Sequence, residues 1–442
     1  MKKINFSLFV ALSALLLGCE TNNYFNPQSL ATQMPTTTVS TDAGSTVAPD
    51  TAPAAASDTG TTPTIVPDSG TAMDVEIVVD TGRTIAGCLV SDPIFIGHGN
   101  GSVTAGSSKG FGIVWNSNYR SATQTDTMFQ AIDPHGADLA AVETVNITDG
   151  AIGPRLDIAA MSNLYVIDAF QADYTDNFWF RNFDGSGAAS NLDQPHGYLP
   201  IVNSDGEYFG FWNDDSPSAM LQMLQLGFSL STIERTVGWN PGQQGTTYPT
   251  KGVKFDGSSW AFAFTVGSVT EVAVVIADGV NMTTITNTAN TGGIVAIGDI
   301  TAVDDGYALH WNWFPSDYSS RRSFISFIPQ KGTTDGMEHN TVEISALAPG
   351  IQMVEYIAWN GNNLGYLAVN ANPNPEDPSQ QVGRFFLLDK LGTVMKTATV
   401  ASPFKPNTTG QTVSFASSGS SFGVTVSSSS DQIVRFQAVT CQ

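Results

Sequence analysis

The residues able to do chemistry in this 442-residue chain are scattered. The five histidines, His98, His135, His196, His310 and His339, share no metal-ligand spacing with one another or with a cysteine. There is no G-x-S-x-G, no phosphate-cradling G-x-x-x-x-G-K and no H-E-x-x-H, so no metal and no cofactor is expected. Three pairs of carboxylates are adjacent in sequence, Asp214-Asp215, Asp304-Asp305 and Glu376-Asp377. Neighbouring carboxylates read first as turn residues, because an acid/base pair needs two groups aimed at one bond from opposite sides. "NFDGSG" at 182–187 has the look of a calcium loop but lacks the further carboxylates, and a hairpin turn accounts for it. What remains is a set of amides, carboxylates and aromatics typical of recognition: Asn213, Asp214, Asp215, Trp239, Asn312, Trp313 and Arg321.

The elements that must position these residues repeat. A turn of Gly, Asn or Asp followed by an aromatic-led apolar strand occurs as "SKGFGIVW", "MSNLYVIDA", "SDGEYFGFW", "DGSSWAFAF", "VDDGYALHW", "NGNNLGYLAV" and "SGSSFGVTV". The leading residues, Phe111, Tyr165, Tyr208, Trp260, Tyr307, Leu364 and Phe422, are spaced by 43 to 58 residues. An apolar strand precedes each phrase. Another follows it and commonly runs into a glycine turn, as in "MFQAIDPHG", "FRNFDGSG" and "FFLLDKLG", before a Thr- and Val-rich segment. Short polar turns join antiparallel strands, so each unit reads as a four-stranded meander with strands a, b, c and d.

Strand b also predicts how units stack. Trp260, Phe262 and Phe264 share one face while Ala261 and Ala263 share the other, and Phe422, Val424 and Val426 oppose Gly423. One bulky and one shallow face per sheet lets each unit insert its large side chains into the next. The pattern resembles the β-propeller domains of secreted and surface bacterial proteins over about residues 84–442, without sialidase-type boxes or Trp-Asp dipeptides. The expected fold is all-β, a β-propeller of seven four-stranded blades; a β-sandwich gives no reason for seven copies.

In a propeller the b–c and d–a loops share one end of the channel. Asn116, Asn213 and Asn312 stand five residues past their leading residue and Asn370 six past its own, which places them as turn-forming residues after strand b. Trp115, Trp212 and Trp311 continue the bulky strand face and read as core. Trp239 and Trp313 fall outside that alternation, in loops, and with Asn213, Asp214, Asp215, Asn312 and Arg321 form the expected ligand face. His310 and Asp168 occupy equivalent strand-b positions, where buried polar groups read as inter-blade hydrogen bonds.

The ends add an address and a clasp. Lys2, Lys3, an apolar run to Leu17 and then Gly18-Cys19 have the organisation of a secretory signal, 1–18, too short for a comfortable membrane span. Leu16-Leu17-Gly18-Cys19 resembles the lipobox of bacterial lipoproteins, which implies lipidation of Cys19. Glu20 rather than Asp after it implies, by the enterobacterial sorting rule, the outer membrane. Residues 19–83 are Thr, Pro, Ala, Ser and Asp in patches, with no Lys or Arg between Lys3 and Arg83, and read as a disordered tether to the domain at 84–442. With Cys19 lipidated, Cys88 and Cys441 remain to pair as a disulfide in an oxidising compartment. The last repeat has strands a, b and c and then stops, whereas "CLVSDPIFIGHG" at the front supplies a strand too many. Residues 88–92 are therefore expected to pair with 433–439, closing the ring with both ends of the chain and placing Cys88 beside Cys441.

The net charge of −22 becomes two units more negative when Lys2 and Lys3 leave with the signal, which argues against nucleic acid and anionic headgroups as partners. The expectation is a monomeric, lipid-anchored propeller that binds a carbohydrate or protein ligand without catalysis, the membrane being reached through the anchor only. The alternative is an extracytoplasmic polysaccharide hydrolase or lyase using carboxylates such as Asp214 and Asp215.

Overall fold

The structure, a computed structural model, describes residues 87–441 except 122–123, 150–154, 162–163, 171–174, 187–190, 196, 205–207, 214–219, 226–232, 239–251, 256–258, 267–270, 277–280, 285–292, 305, 330–339, 350–352, 371–381, 402–410 and 429–431. The described residues contain strands and turns and fall into seven antiparallel sheets. Two short strands come first, β1 (Leu89–Val90) and β2 (Ile94–His98). The first sheet is β3 (Asn100–Gly106), β4 (Phe111–Ser121), β5 (Gln124–Ile132) and β6 (Glu143–Asp149). The second is β7 (Arg155–Met161), β8 (Leu164–Phe170), β9 (Thr175–Asn182) and β10 (Asn191–Pro195). The third is β11 (Gly197–Ser204), β12 (Tyr208–Asn213), β13 (Met220–Gln225) and β14 (Ile233–Gly238). The fourth is β15 (Gly252–Phe255), β16 (Ser259–Val266), β17 (Glu271–Ile276) and β18 (Asn281–Thr284). The fifth is β19 (Gly293–Val303), β20 (Gly306–Pro315), β21 (Arg322–Pro329) and β22 (Asn340–Glu343). The sixth is β23 (Met353–Trp359), β24 (Leu364–Asn370), β25 (Val382–Leu388) and β26 (Val394–Ala401). The seventh is β27 (Gln411–Ser418), β28 (Ser421–Ser428) and β29 (Ile433–Thr440), completed by β1 and β2.

The first strand of each sheet packs against the first strand of the next, β3 on β7, β7 on β11, and so on to β23 on β27, and β27 returns to β3. Sheets that touch by their first strands in a closed cycle are the blades of a β-propeller, with strand a innermost and strand d at the rim. Period-2 alternation is obeyed within them. Tyr307, Leu309 and Trp311 of β20 are buried in one cluster with Val295 and Ile300 of β19 and Phe324 and Ile328 of β21. The leading residue of strand b is what locks one blade to the next. A Cβ built on Gly365 would stand 2.4 Å from the ring of Phe422, and one on Gly423 would stand 2.7 Å from Phe111. The leading aromatic of one blade thus sits on the bare backbone one residue past the leading residue of the blade before it, and blade 7 meets blade 1 by the same rule.

The c–d turns are one device reused. In blades 1, 2 and 6 the N–H of Asp133, Asn182 and Asp389 donates to the carbonyl four residues on, at 2.8, 3.1 and 3.0 Å. The glycine three residues on, Gly136, Gly185 or Gly392, has φ of +94°, +77° or +78°, a left-handed geometry that only glycine adopts cheaply. Asp133 and Asp389 add side-chain acceptors for two backbone N–H groups each, at 2.8 Å. "NFDGSG" is such a turn: Asp184 Oδ1 accepts from Ser186 N and Oγ at 2.9 and 2.6 Å.

Ring closure follows the expected course and extends it. β1 pairs with β29 as Leu89↔Thr440 and Val90↔Val439, and β2 continues along the same strand from Ile94↔Phe436 to His98↔Ile433. The rim strand of blade 7 is therefore split, with Ser91 bridging the gap: its N–H donates to Ala438 O at 2.9 Å and its Oγ accepts from Ala438 N at 3.0 Å. Cys88 and Cys441 are joined in a disulfide, Cα to Cα 4.5 Å. Cys19, the signal and the tether lie outside the described residues.

Candidate functional site

The b–c end of blades 5 and 6 is the best-defined part of the expected ligand face, and it is built on a buried carboxylate. Glu355 lies in β23, in the otherwise apolar "MVEYIAW", and is buried. Four side chains converge on it. Arg321 Nη1 donates to its Oε2 at 2.7 Å, His310 Nε2 stands 3.1 Å from the same oxygen, the Tyr366 hydroxyl donates to Oε1, and Ser323 Oγ lies 3.0 Å from Oε1. His310, Arg321 and Ser323 come from blade 5, whereas Glu355 and Tyr366 belong to blade 6, so the cluster welds two blades. Burial alone would push the Glu355 carboxyl up. The adjoining His310, Arg321 and Tyr366 outweigh it and hold the group at about 2. The Tyr366 hydroxyl is driven well above its ordinary value by burial and by the Glu355 charge.

Arg321, its side chain itself buried, ties this base to the neighbouring backbone. Its guanidinium also donates to Met353 O and Ala348 O, both at 2.9 Å, so the end of the blade 5 b–c loop is held against the connection into blade 6. Beside it Arg322 and Glu343 pair across β21 and β22, and the Arg322 hydrogen bond holds the Glu343 carboxyl below its usual range. The loop between, 316–320, is exposed except at Tyr318, whose N–H donates to Pro315 O at 2.9 Å and whose ring tilts on Phe314 at 5.9 Å. Tyr318 has φ of +54°, an uncommon conformation for a residue with a Cβ. Asp317 is exposed at the tip and accepts from Ser319 N at 3.0 Å.

Of the residues expected at this face, the structure brings Asn312 and Arg321 together and separates them from Trp313. Asn312 is a buried residue of β20 whose Oδ1 lies 2.7 Å from Ser323 Oγ, the same hydroxyl that reaches Glu355. It is not a turn residue: β20 runs on to Pro315, and Asn116 likewise lies inside β4. Trp313 requires a correction too. It sits in β20 opposite Val295, not in a loop, packs against the blade 5 core cluster, and covers Gly293, where a Cβ would stand 2.1 Å from its Nε1. The alternation simply continues two residues further than the sequence pattern indicated. Asn213 ends β12, its side chain outside the described residues, as are Asp214, Asp215 and Trp239 altogether.

Several other assignments fall where expected, while the side chain of Trp212 and the Glu376-Asp377 pair lie outside the described residues. Trp115 and Trp311 are core, their indole N–H groups donating to His98 O and Ser326 Oγ. His310 does make an inter-blade contact, with Glu355; Asp168 is buried, and its register partner Asp157 lies on strand a of its own blade. Asp304 is a turn residue that accepts from Trp359 Nε1 and pairs with Lys390. Sequence reasoning missed Glu355, Ser323 and Tyr366. The one signal was a lone glutamate in an apolar strand, which must find donors if it is buried.

No protein-family model matches the sequence, and no curated protein matches it. Among solved structures it is similar to the β-propeller domain of Myceliophteria thermophila Cps50 (Swd1), at 9% identity and a TM-score of 0.47, over 79% of this chain and 100% of that one. It is also similar to a putative 6-phosphogluconolactonase from Bacteroides uniformis, at 14% identity and a TM-score of 0.41, over 68% and 86%. A third is BamB from Moraxella catarrhalis, at 9% identity and a TM-score of 0.38, over 79% and 99%. The propeller assignment rests on the sheet order and the closed cycle of inner strands.

Proposed function

We propose that the chain is a lipid-anchored β-propeller that serves as a non-enzymatic binding or scaffold module, holding a carbohydrate or protein ligand at the b–c end of its ring. The observation that carries the reading is the Glu355 cluster. Its carboxylate is closed off by donors that hold it well below the usual carboxylate range, and through Arg321 it ties the end of the 316–320 loop to the connection into blade 6. A preset polar loop on a rigid ring favours recognition, because little ordering entropy is left to lose on binding. Leu16-Leu17-Gly18-Cys19 and Glu20 support an anchor at Cys19 in the outer membrane, and the Cys88–Cys441 disulfide fits an oxidising compartment.

Two experiments test this. The full chain is screened against cell-envelope glycans and proteins for retention and for product release. Retention without product is expected, with loss on Asp317→Ala; release of product that Asp214→Asn or Asp215→Asn abolishes would replace binding by hydrolysis or elimination. Separately, Cys19→Ser should move the protein out of the washed membrane fraction, and unchanged retention there refutes the anchor.

A further inference from the structure

Left-handed backbone is shared out unevenly between the turns at the two ends of the ring. At the end that carries the a–b and c–d turns, the described turns place glycine at positive φ: Gly110, Gly361 and Gly419 in the a–b turns of blades 1, 6 and 7, and Gly136, Gly185 and Gly392 in the c–d turns of blades 1, 2 and 6. At the opposite end, the b–c connections of blades 5 and 7 put Tyr318 and Gln432 in that conformation instead, with φ of +54° and +50°. Among the described residues, these are the two with a Cβ that adopt it. A side chain held there costs backbone energy that glycine avoids, and such outliers cluster where the side chain has a use.

Tyr318 is the better defined of the two. Its N–H donates to Pro315 O at 2.9 Å, a backbone bond that glycine would make equally well, so the turn itself does not call for a phenol. The residue is half-buried, its ring tilted at 43° on Phe314. Around it Ser316, Asp317, Ser319 and Ser320 are all exposed. Hydrogen bonds from Ser319 hold the Asp317 carboxyl below its usual range, which keeps it an acceptor. Arg321, bonded to Met353 O and Ala348 O, fixes the end of the loop that presents these groups.

The chemistry of the loop selects its ligand. Among the described residues, no exposed large apolar side chain lies in the b–c connection of blade 5 or blade 7, so these connections lack the apolar centre of a protein interface. One ring beside a carboxylate and serine hydroxyls matches a sugar instead: the C–H face of the sugar packs on the aromatic, and its hydroxyls donate to the carboxylate and exchange hydrogen bonds with the serines. A net charge of −22 disfavours uronic and sulfated sugars. We propose that Tyr318 is the stacking residue for a neutral saccharide at the b–c end, kept in a strained conformation for its ring; this rests on the reading of that end as the ligand face.

The test uses the full chain on an array of neutral hexose and N-acetylhexosamine oligosaccharides printed beside uronic acid and sulfated ones. Retention on the neutral saccharides is expected. Tyr318→Gly should weaken it at least about tenfold while the melting temperature stays the same or rises, whereas Tyr318→Phe, which keeps the ring, should hold most of it. A melting temperature lowered by more than about 3 °C in Tyr318→Gly overturns the proposal, because the ring would then be kept for its packing on Phe314. Retention that Tyr318→Gly leaves unchanged overturns it as well. In that case loss on Asp317→Ala would leave the ligand face standing without its stacking residue, and indifference to both substitutions would remove the face itself. Retention confined to acidic saccharides, or none at all, also overturns it; an envelope protein bound by the wild type and lost on Asp317→Ala would then keep the b–c end as a ligand face for protein.

Discussion

Cutting the Cys88–Cys441 bridge should loosen the ring first at its seam and lower its thermal stability by several degrees. The bridge spans a sequence separation of 353 residues. Chain entropy for a loop of that size corresponds to roughly 5.8 kcal/mol at 25 °C, an upper figure beside the 2–4 kcal/mol that bridges commonly contribute. At about 2.1 cal/mol/K of unfolding entropy per residue, a domain of about 350 residues loses on the order of 4 °C for a 3 kcal/mol deficit and 8 °C for 6 kcal/mol. The weak point is equally specific. Without the bridge, the lower half of the blade 7 rim strand keeps the two-residue pairing of β1 and the hydrogen bonds of Ser91 and Gln437. Calorimetry on the Cys88→Ser/Cys441→Ser variant, with hydrogen exchange read over residues 88–98 and 433–440, separates the two effects. Exchange should rise there before the rest of the ring opens. A shift under about 1 °C with unchanged exchange, or two free thiols in protein isolated without reductant, would refute the reasoning.

Gly365→Ala should cost about 1–3 kcal/mol in denaturant unfolding, because the new methyl meets the Phe422 ring at 2.4 Å, while Gly383→Ala, with its nearest neighbour at 3.5 Å, should be close to neutral. Glu355→Gln should destabilise by about 3–5 kcal/mol by leaving Arg321 buried without its counter-charge. It should also change the acid limb of the stability curve. The Glu355 carboxyl is held at about 2 in the folded chain, below its ordinary value of 4.5, so its contribution is complete above 4.5 and lost as pH falls toward 2. The variant's stability should therefore vary less between those two pH values, and an identical acid slope would show that Glu355 is not held low. Trp313→Ala should lower the melting temperature, by about 3 kcal/mol of stability, since Trp313 packs on the blade 5 core; an unchanged melt would return it to the ligand face.

The blades were legible in the sequence because what defines them is local. Period-2 alternation, a leading aromatic and a glycine turn each act within a few residues, so "FFLLDKLG" announces both β25 and the turn that ends it. The stacking rule was legible as well, since Gly423 beside Phe422 already states which face is shallow. Closure followed from a strand missing at one end and spare at the other, with a cysteine at each. Strand ends without a glycine signal were not legible. Nothing in "HWNWFP" says that β20 continues through Trp313 to Pro315; the paired strand β19 decides it, by offering Val295 and Gly293 as partners. The base of the candidate site was hidden for a related reason. Arg321 is 34 residues from Glu355 and His310 further still, with only Tyr366 close, 11 residues on, and their meeting depends on two blades stacking with a particular offset. Sequence determined that each blade would form and which face would pack. The ring alone decided which buried charges would find each other, because only stacked sheets bring distant donors to one carboxylate.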